Sequence, residues 1–112
     1  MDDCIFCKIA NGEIPAKAVF RDERMFAFHD IAPAAPTHIL IIPLKHIASI
    51  SELTENDAGL VGEIFIQAAR IAREQKLPHY RIIANCGSGA GQSIFHLHFH
   101  LLGGRRMGWP PG

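Results

Sequence analysis

Apolar and polar positions alternate in short runs along this chain, interrupted once by a longer stretch at helical spacing. Cys4 to Ala10 predicts a short helix, ended at Asn11-Gly12, where left-handed backbone is cheap. Ala18–Arg21 and Met25–Asp30 predict two strands around a tight Asp22-Glu23-Arg24 turn. Residues 31–37 carry two prolines and read as a loop. His38-Ile-Leu-Ile-Ile-Pro43 is β-branched and apolar, a buried strand that its proline ends. Thr54-Glu-Asn-Asp57 has the form of a capping box with Asp in place of Glu, opening the one long helix. Leu60, Val61, Ile64, Phe65, Ala68, Ile71 and Ala72 then recur on one face, with Glu63, Gln67, Arg70, Arg73 and Glu74 elsewhere on the wheel, until Pro78. Tyr80–Cys86 and Phe95–Leu102 predict two more strands, separated by Gly87-Ser-Gly-Ala-Gly91, and the Trp109-Pro-Pro-Gly112 tail predicts no regular structure.

Every strand connection except the one carrying the helix is short or loop-like. The pattern therefore predicts one α+β domain over residues 1–112, an antiparallel sheet of about five strands with one long helix and a short N-terminal helix.

Charge narrows the partners. Eleven basic and eleven acidic side chains cancel, leaving no electrostatic footprint for nucleic acid or an anionic membrane. Any anion must then be held by local donors. No apolar run approaches the ~20 residues that span a bilayer. The acidic start, Met1-Asp2-Asp3, lacks the basic and apolar regions of an export signal, and three cysteines make a poor disulfide scaffold, so a cytoplasmic setting is expected.

Seven histidines are the unusual feature, and three of them fall in Ser93-Ile-Phe-His-Leu-His-Phe-His-Leu-Leu102. On a strand, His96, His98 and His100 share one face, while Phe95, Leu97, Phe99 and Leu101 share the other. Neighbouring imidazoles would stand roughly 6.6 Å apart and the outer pair roughly 13 Å apart, so two of them, but not three, could share a metal ion. Imidazole is a nucleophile that changes charge near neutral pH, and such a row lets one ring attack while its neighbours bind charge or move protons. The preceding loop offers Gly87, Gly89 and Gly91, whose backbone N–H groups can approach an anion, followed by Gln92 and Ser93 as further donors. Loop and row together point to attack by histidine on phosphorus.

His96-Leu-His98-Phe-His100-Leu-Leu102 resembles the signature of the histidine-triad (HIT) family. The resemblance runs through Ile14-Pro-Ala-Lys17, Phe28-His-Asp-Ile31, Pro36-Thr-His-Ile-Leu-Ile-Ile-Pro43, Gly91-Gln-Ser93 and Leu102-Gly-Gly-Arg105, and the Trp109-Pro-Pro tail looks like the Hint branch of purine nucleoside phosphoramidases. It implies that His98 attacks the α-phosphorus, His96 orients it through its carbonyl, His100 contacts the phosphate and His38 relays a proton to the departing amine. Asp30 and Ile31 would hold the ribose, although Asp30 could equally cap its strand. Phe6, Ile9 and Phe28 would join Ile31 as walls for the base. Asn85, Gly91, Gln92 and Ser93 would line the phosphate. A homodimer is implied too, its sheet continued across the interface and Trp109 reaching toward the partner's site. No cofactor is needed for that chemistry. Dinucleoside polyphosphate hydrolysis, nucleotidyl transfer, and a nucleotide-binding protein with vestigial activity are the alternative readings. His29 and His79 receive no role.

Cys4-Ile-Phe-Cys7 is a C-x₂-C pair that His46 and His96 could complete as a tetrahedral structural zinc site. Two reduced thiols on an amphipathic helix, or a redox pair, are the other readings. Cys86 reads as a small buried residue.

Overall fold

A computed structural model describes residues 3–112; Met1 and Asp2 of the acidic start lie outside the described residues. In chain order the elements are α1 (Ile5–Ala10), β1 (Ala18–Arg21), β2 (Met25–His29), β3 (Thr37–Pro43), α2 (Ala58–Glu74), β4 (Tyr80–Ile83) and β5 (Phe99–Gly103). The strands form one antiparallel sheet in the order β1-β2-β3-β5-β4, the α+β architecture expected.

β3 lies at the centre, and this explains its unbroken apolar run. Ile39 and Ile41 face α2 and pack with Ile64, Ala68, Ile71, Leu97, Phe99 and Leu101, whereas Leu40 and Ile42 face the α1 side with Phe6, Phe26 and Phe28. A strand buried on both faces cannot show alternation. Truncating Ile39 or Ile41 to Ala, both fully buried, would cost about 2–5 kcal/mol.

The box expected to open α2 closes a 3-10 turn over Glu55–Asp57, from which α2 continues at Ala58. Asp57 Oδ2 accepts the Thr54 N–H at 3.0 Å, closing the box, while Lys45 Nζ donates to Asp57 Oδ1 at 2.8 Å. Its end differs from expectation, because the helix closes before Pro78. Lys76 takes the left-handed conformation at φ 57°, the Lys76 N–H reaches the Arg73 carbonyl, and the Leu77 N–H reaches the Ala72 carbonyl. That is a Schellman motif built without glycine. Leu77 then lies over Gly103, where a Cβ would meet its Cδ1 at 2.7 Å. The polar face of the helix also needs correction, for Gln67 is buried and Phe65 is 46% exposed.

The largest departure concerns the histidine row. Strand geometry begins only at Phe99, and residues 94–96 bend instead. Phe95 therefore leaves the apolar face and is 51% exposed. Met25–Asp30 and Tyr80–Cys86 also pair over shorter spans than expected, ending at His29 and Ile83. Among the described residues no helix is long and apolar enough to cross a membrane.

Candidate functional site

On the α1 face of the sheet, a cleft of about 260 Å³ is walled by Phe6, Ile9, Phe28, Leu40 and Ile94 and edged by Asp30, Ile31, Ser93, His98 and His100. Pairing sets the imidazoles there, since His100 stands opposite Leu40 in the register of β3 and β5 and so shares its face. Asn85, Gly91 and Gln92, expected beside them, do not line this cleft. His29, for which no role was expected, does. Its neighbours Phe28 and Asp30 were the only local signal.

Hydrogen bonds fix the proton on each ring. His98 Nδ1 is 2.7 Å from the His96 carbonyl oxygen, which can only accept, so Nδ1 carries the proton and Nε2 keeps its lone pair. His38 Nδ1 accepts the Ala34 N–H at 2.9 Å, which puts the proton of His38 on Nε2. That proton faces His100 Nδ1 at 2.9 Å, with Asp30 Oδ2 at 3.4 Å. His100 is thereby left with its proton on Nε2, the one buried side-chain polar atom among the described residues that has no partner. Such an atom is a donor held ready for an acceptor. Burial, joined by the nearby His98 and His38, pushes His100 down to about 4, so the ring is neutral near pH 7. Burial also lowers His38, against the pull of Asp30.

Asp30 caps its strand, the alternative reading of that residue, and it also stands at the cleft. Its Oδ1 accepts the Ala32 N–H at 2.8 Å. Gln92 corrects an expectation. Its side chain is buried, its Oε1 accepts the Gly87 N–H at 2.9 Å, and its Nε2 donates to the Ala48 and Ile94 carbonyls at 2.9 and 3.0 Å. Its Oε1 braces the glycine loop, and both Nε2 hydrogens are spent on carbonyls outside that loop. Gly91, at φ 100°, needs glycine for its left-handed backbone, and a Cβ there would reach 3.5 Å from Asn85 Nδ2. Trp109 is 83% exposed near Arg81 of the edge strand β4, away from its own cleft.

His96 leads elsewhere. Its Nε2 donates to the Pro43 carbonyl at 2.8 Å, so Nδ1 presents a lone pair, at 3.3 Å from Cys4 Sγ, 3.5 Å from Cys7 Sγ and 3.3 Å from His46 Nδ1. Cys7 Sγ is 3.4 Å from His46 Nδ1. A tetrahedral zinc, with bonds of about 2.1 Å to nitrogen and 2.3 Å to sulfur, sets its donors roughly 3.4–3.8 Å apart. These four separations lie close to that spacing, all four donor atoms fall within 4.8 Å of one another, and the cluster can hold a zinc ion. Burial and the adjacent Cys4 push the Cys7 thiol up to about 11, a preference that a bound cation reverses. Cys86, expected buried, is only half-buried and lies 3.1 Å from Ser51 Oγ.

Known proteins share the fold and much of the sequence. Residues 3–108 match the family model described as scavenger mRNA decapping enzyme C-term binding. An uncharacterized HIT-like protein of Synechococcus elongatus is 46% identical over 112 residues, covering 99% of this chain and 98% of its own. The crystal structure of a HIT family hydrolase from Legionella pneumophila is 53% identical, with a TM-score of 0.96 over 98% of this chain and 100% of that one. A histidine triad protein from Clostridium difficile is 44% identical, with a TM-score of 0.93 over 96% of each chain.

Proposed function

The chain belongs to the histidine-triad (HIT) family of hydrolases, and from that premise we propose that it cleaves purine nucleoside phosphoramidates to a nucleoside monophosphate and an amine. The observation that carries this reading is the tautomer pair of His98 and His100: a lone pair on one ring and an unsatisfied N–H on the next, both in one cleft.

His98 Nε2 attacks the α-phosphorus, forming the N–P bond as the P–N bond to the amine breaks. The His96 carbonyl shares the charge that appears on the ring of His98. His100 Nε2–H donates to a phosphoryl oxygen, and removing such a donor typically costs about 3–4 kcal/mol of barrier. His38 does not line the cleft with these rings, so we assign it to holding His100 in the Nε2–H tautomer in place of protonating the amine itself. The departing nitrogen takes its proton from solvent on the open side, where Ser93 is exposed. Water then attacks the nucleotidyl-imidazole, releasing the monophosphate and restoring His98. Phe6, Ile9, Phe28 and Ile31 would flank the base, and Asp30 would accept from ribose hydroxyls.

A zinc ion at Cys4, Cys7, His46 and His96 would be a structural one, all four ligands being protein. A homodimer fits the uncovered apolar groups of Phe65, Ile66, Tyr80 and Trp109, two of them on α2, one at the edge strand and one in the tail. The family model's name favours a second reading, hydrolysis of a nucleotide pyrophosphate by the same His98. Turnover of AMP joined through its phosphorus to an amine, measured for wild type and His98→Asn, tests the first. Loss of turnover in the variant supports it, and equal rates end it. A wild type that instead cleaves only dinucleoside polyphosphates would favour the second.

A further inference from the structure

We propose that Cys4, Cys7 and His46 are positioning residues for His98, so that metal occupancy of the thiol–imidazole centre sets how tightly the neighbouring cleft holds a nucleotide. The proposal rests on the reading of that cleft as a nucleotide site, and goes beyond a zinc that merely stabilises the fold.

His96 belongs to both places. Its imidazole Nδ1 points into the centre, and its carbonyl oxygen, at 2.7 Å, is what fixes the proton on His98 Nδ1. The residue is fully buried and its other nitrogen is tied to Pro43, so the ring cannot shift without moving the backbone that carries the carbonyl. Ladder pairing begins only at Phe99, and the peptide that carries the carbonyl is held by one backbone bond, from the Leu97 N–H to the Ile47 carbonyl at 2.6 Å. The ring of His96 is the second anchor of that carbonyl, and Ile47 directly follows the centre's His46.

A second connection runs through α1. Six residues make a helix too short to persist alone. Cys4 caps it, its Sγ accepting the Cys7 N–H at 3.2 Å, and both thiols belong to the centre. The same helix carries Phe6, whose ring meets His98 edge-on at 5.0 Å and His96 at 6.0 Å. Seating an ion on Cys4 and Cys7 therefore also seats a wall of the cleft.

The centre is open to exchange. Three of its four residues are only half-buried, and a cavity of about 320 Å³ opens onto Cys4 and His46. Ile5, Ser93 and Ile94 line both this cavity and the nucleotide cleft, so the two sites share a wall. If ion and nucleotide favour the same arrangement of His96 and α1, each must tighten the other by the same factor.

Calorimetry of AMP binding to the zinc-loaded and the chelator-stripped chain, paired with chelator competition for zinc with and without AMP, measures both sides of this linkage. We expect AMP to bind about tenfold tighter to the zinc-loaded chain, and zinc to be tightened by a matching factor. AMP affinities within about twofold of each other, with zinc affinity indifferent to AMP, would overturn the coupling, as would a chain that takes up no zinc. Should the stripped chain unfold, the Co²⁺-loaded chain serves: its visible ligand-field bands should shift when AMP is added, and bands that AMP leaves unchanged would overturn the proposal. AMP that binds neither form defeats the nucleotide reading itself, a result distinct from AMP binding both forms alike.

Discussion

His98 Nδ1 and the carbonyl oxygen of His96 lie 2.7 Å apart, and this one hydrogen bond decides which nitrogen of His98 can react. A ring free to choose its tautomer would spend part of its time with the wrong nitrogen exposed. Here the backbone makes the choice, and the lone pair is left on Nε2.

Gln92 is expected to matter for stability more than for chemistry. Gln92→Leu keeps the volume but leaves the Gly87 N–H and the Ala48 and Ile94 carbonyls without their partner. The cost should be about 2–4 kcal/mol, read as a lower urea midpoint. An unchanged midpoint would mean that the loop is held by something else.

Lys76→Gly should stabilise the protein by about 0.5–1 kcal/mol, because the position already has left-handed φ, which costs a Cβ-bearing residue more than glycine. Thermal unfolding is the check. A lower midpoint would contradict the account of how α2 ends.

Stability should fall with acid. His100, His38 and His96 all have their pKa lowered in the folded chain, mainly by burial, so the unfolded chain binds protons that the folded one resists. Their favourable contribution is fully present above the unfolded value of about 6.5. It is lost as pH falls from there, for His100 down to about 4. Urea midpoints at pH 7.5 and pH 4.5 should therefore differ, the second being lower, and His100→Gln should reduce the difference. Equal midpoints would contradict the burial of these rings as neutral groups.

Much of this was legible in the residues. Helical spacing from Leu60 to Ala72, the capping box at Thr54 and the apolar run of β3 are local signals, and each element formed where its signal lay. The histidine row was legible as chemistry but not as geometry. Strict alternation from Phe95 to Leu102 implies a regular strand, yet His96 is claimed by Cys4, Cys7, His46 and the Pro43 carbonyl, and that pull bends residues 94–96 away from the ladder. No window of sequence contains those partners, which come from α1 and its N-cap, the end of β3 and the segment after it. Gln92 failed for a related reason: a donor beside a glycine loop looks the same whether it faces a ligand or the protein. The end of α2 before Pro78 was missed because it depends on a left-handed Lys76 that lets Leu77 pack over Gly103.

The most direct test of the central claim is to catch the covalent intermediate. Wild type should be mixed with an AMP–amine phosphoramidate, quenched within a turnover under alkaline conditions that preserve the P–N bond to imidazole, digested, and mapped by mass spectrometry. The account predicts an adenylyl adduct on the peptide containing His98, assigned by fragmentation to that residue. Full turnover with no adduct on any histidine, or an adduct on His96 or His100 with His98 unmodified, would contradict it.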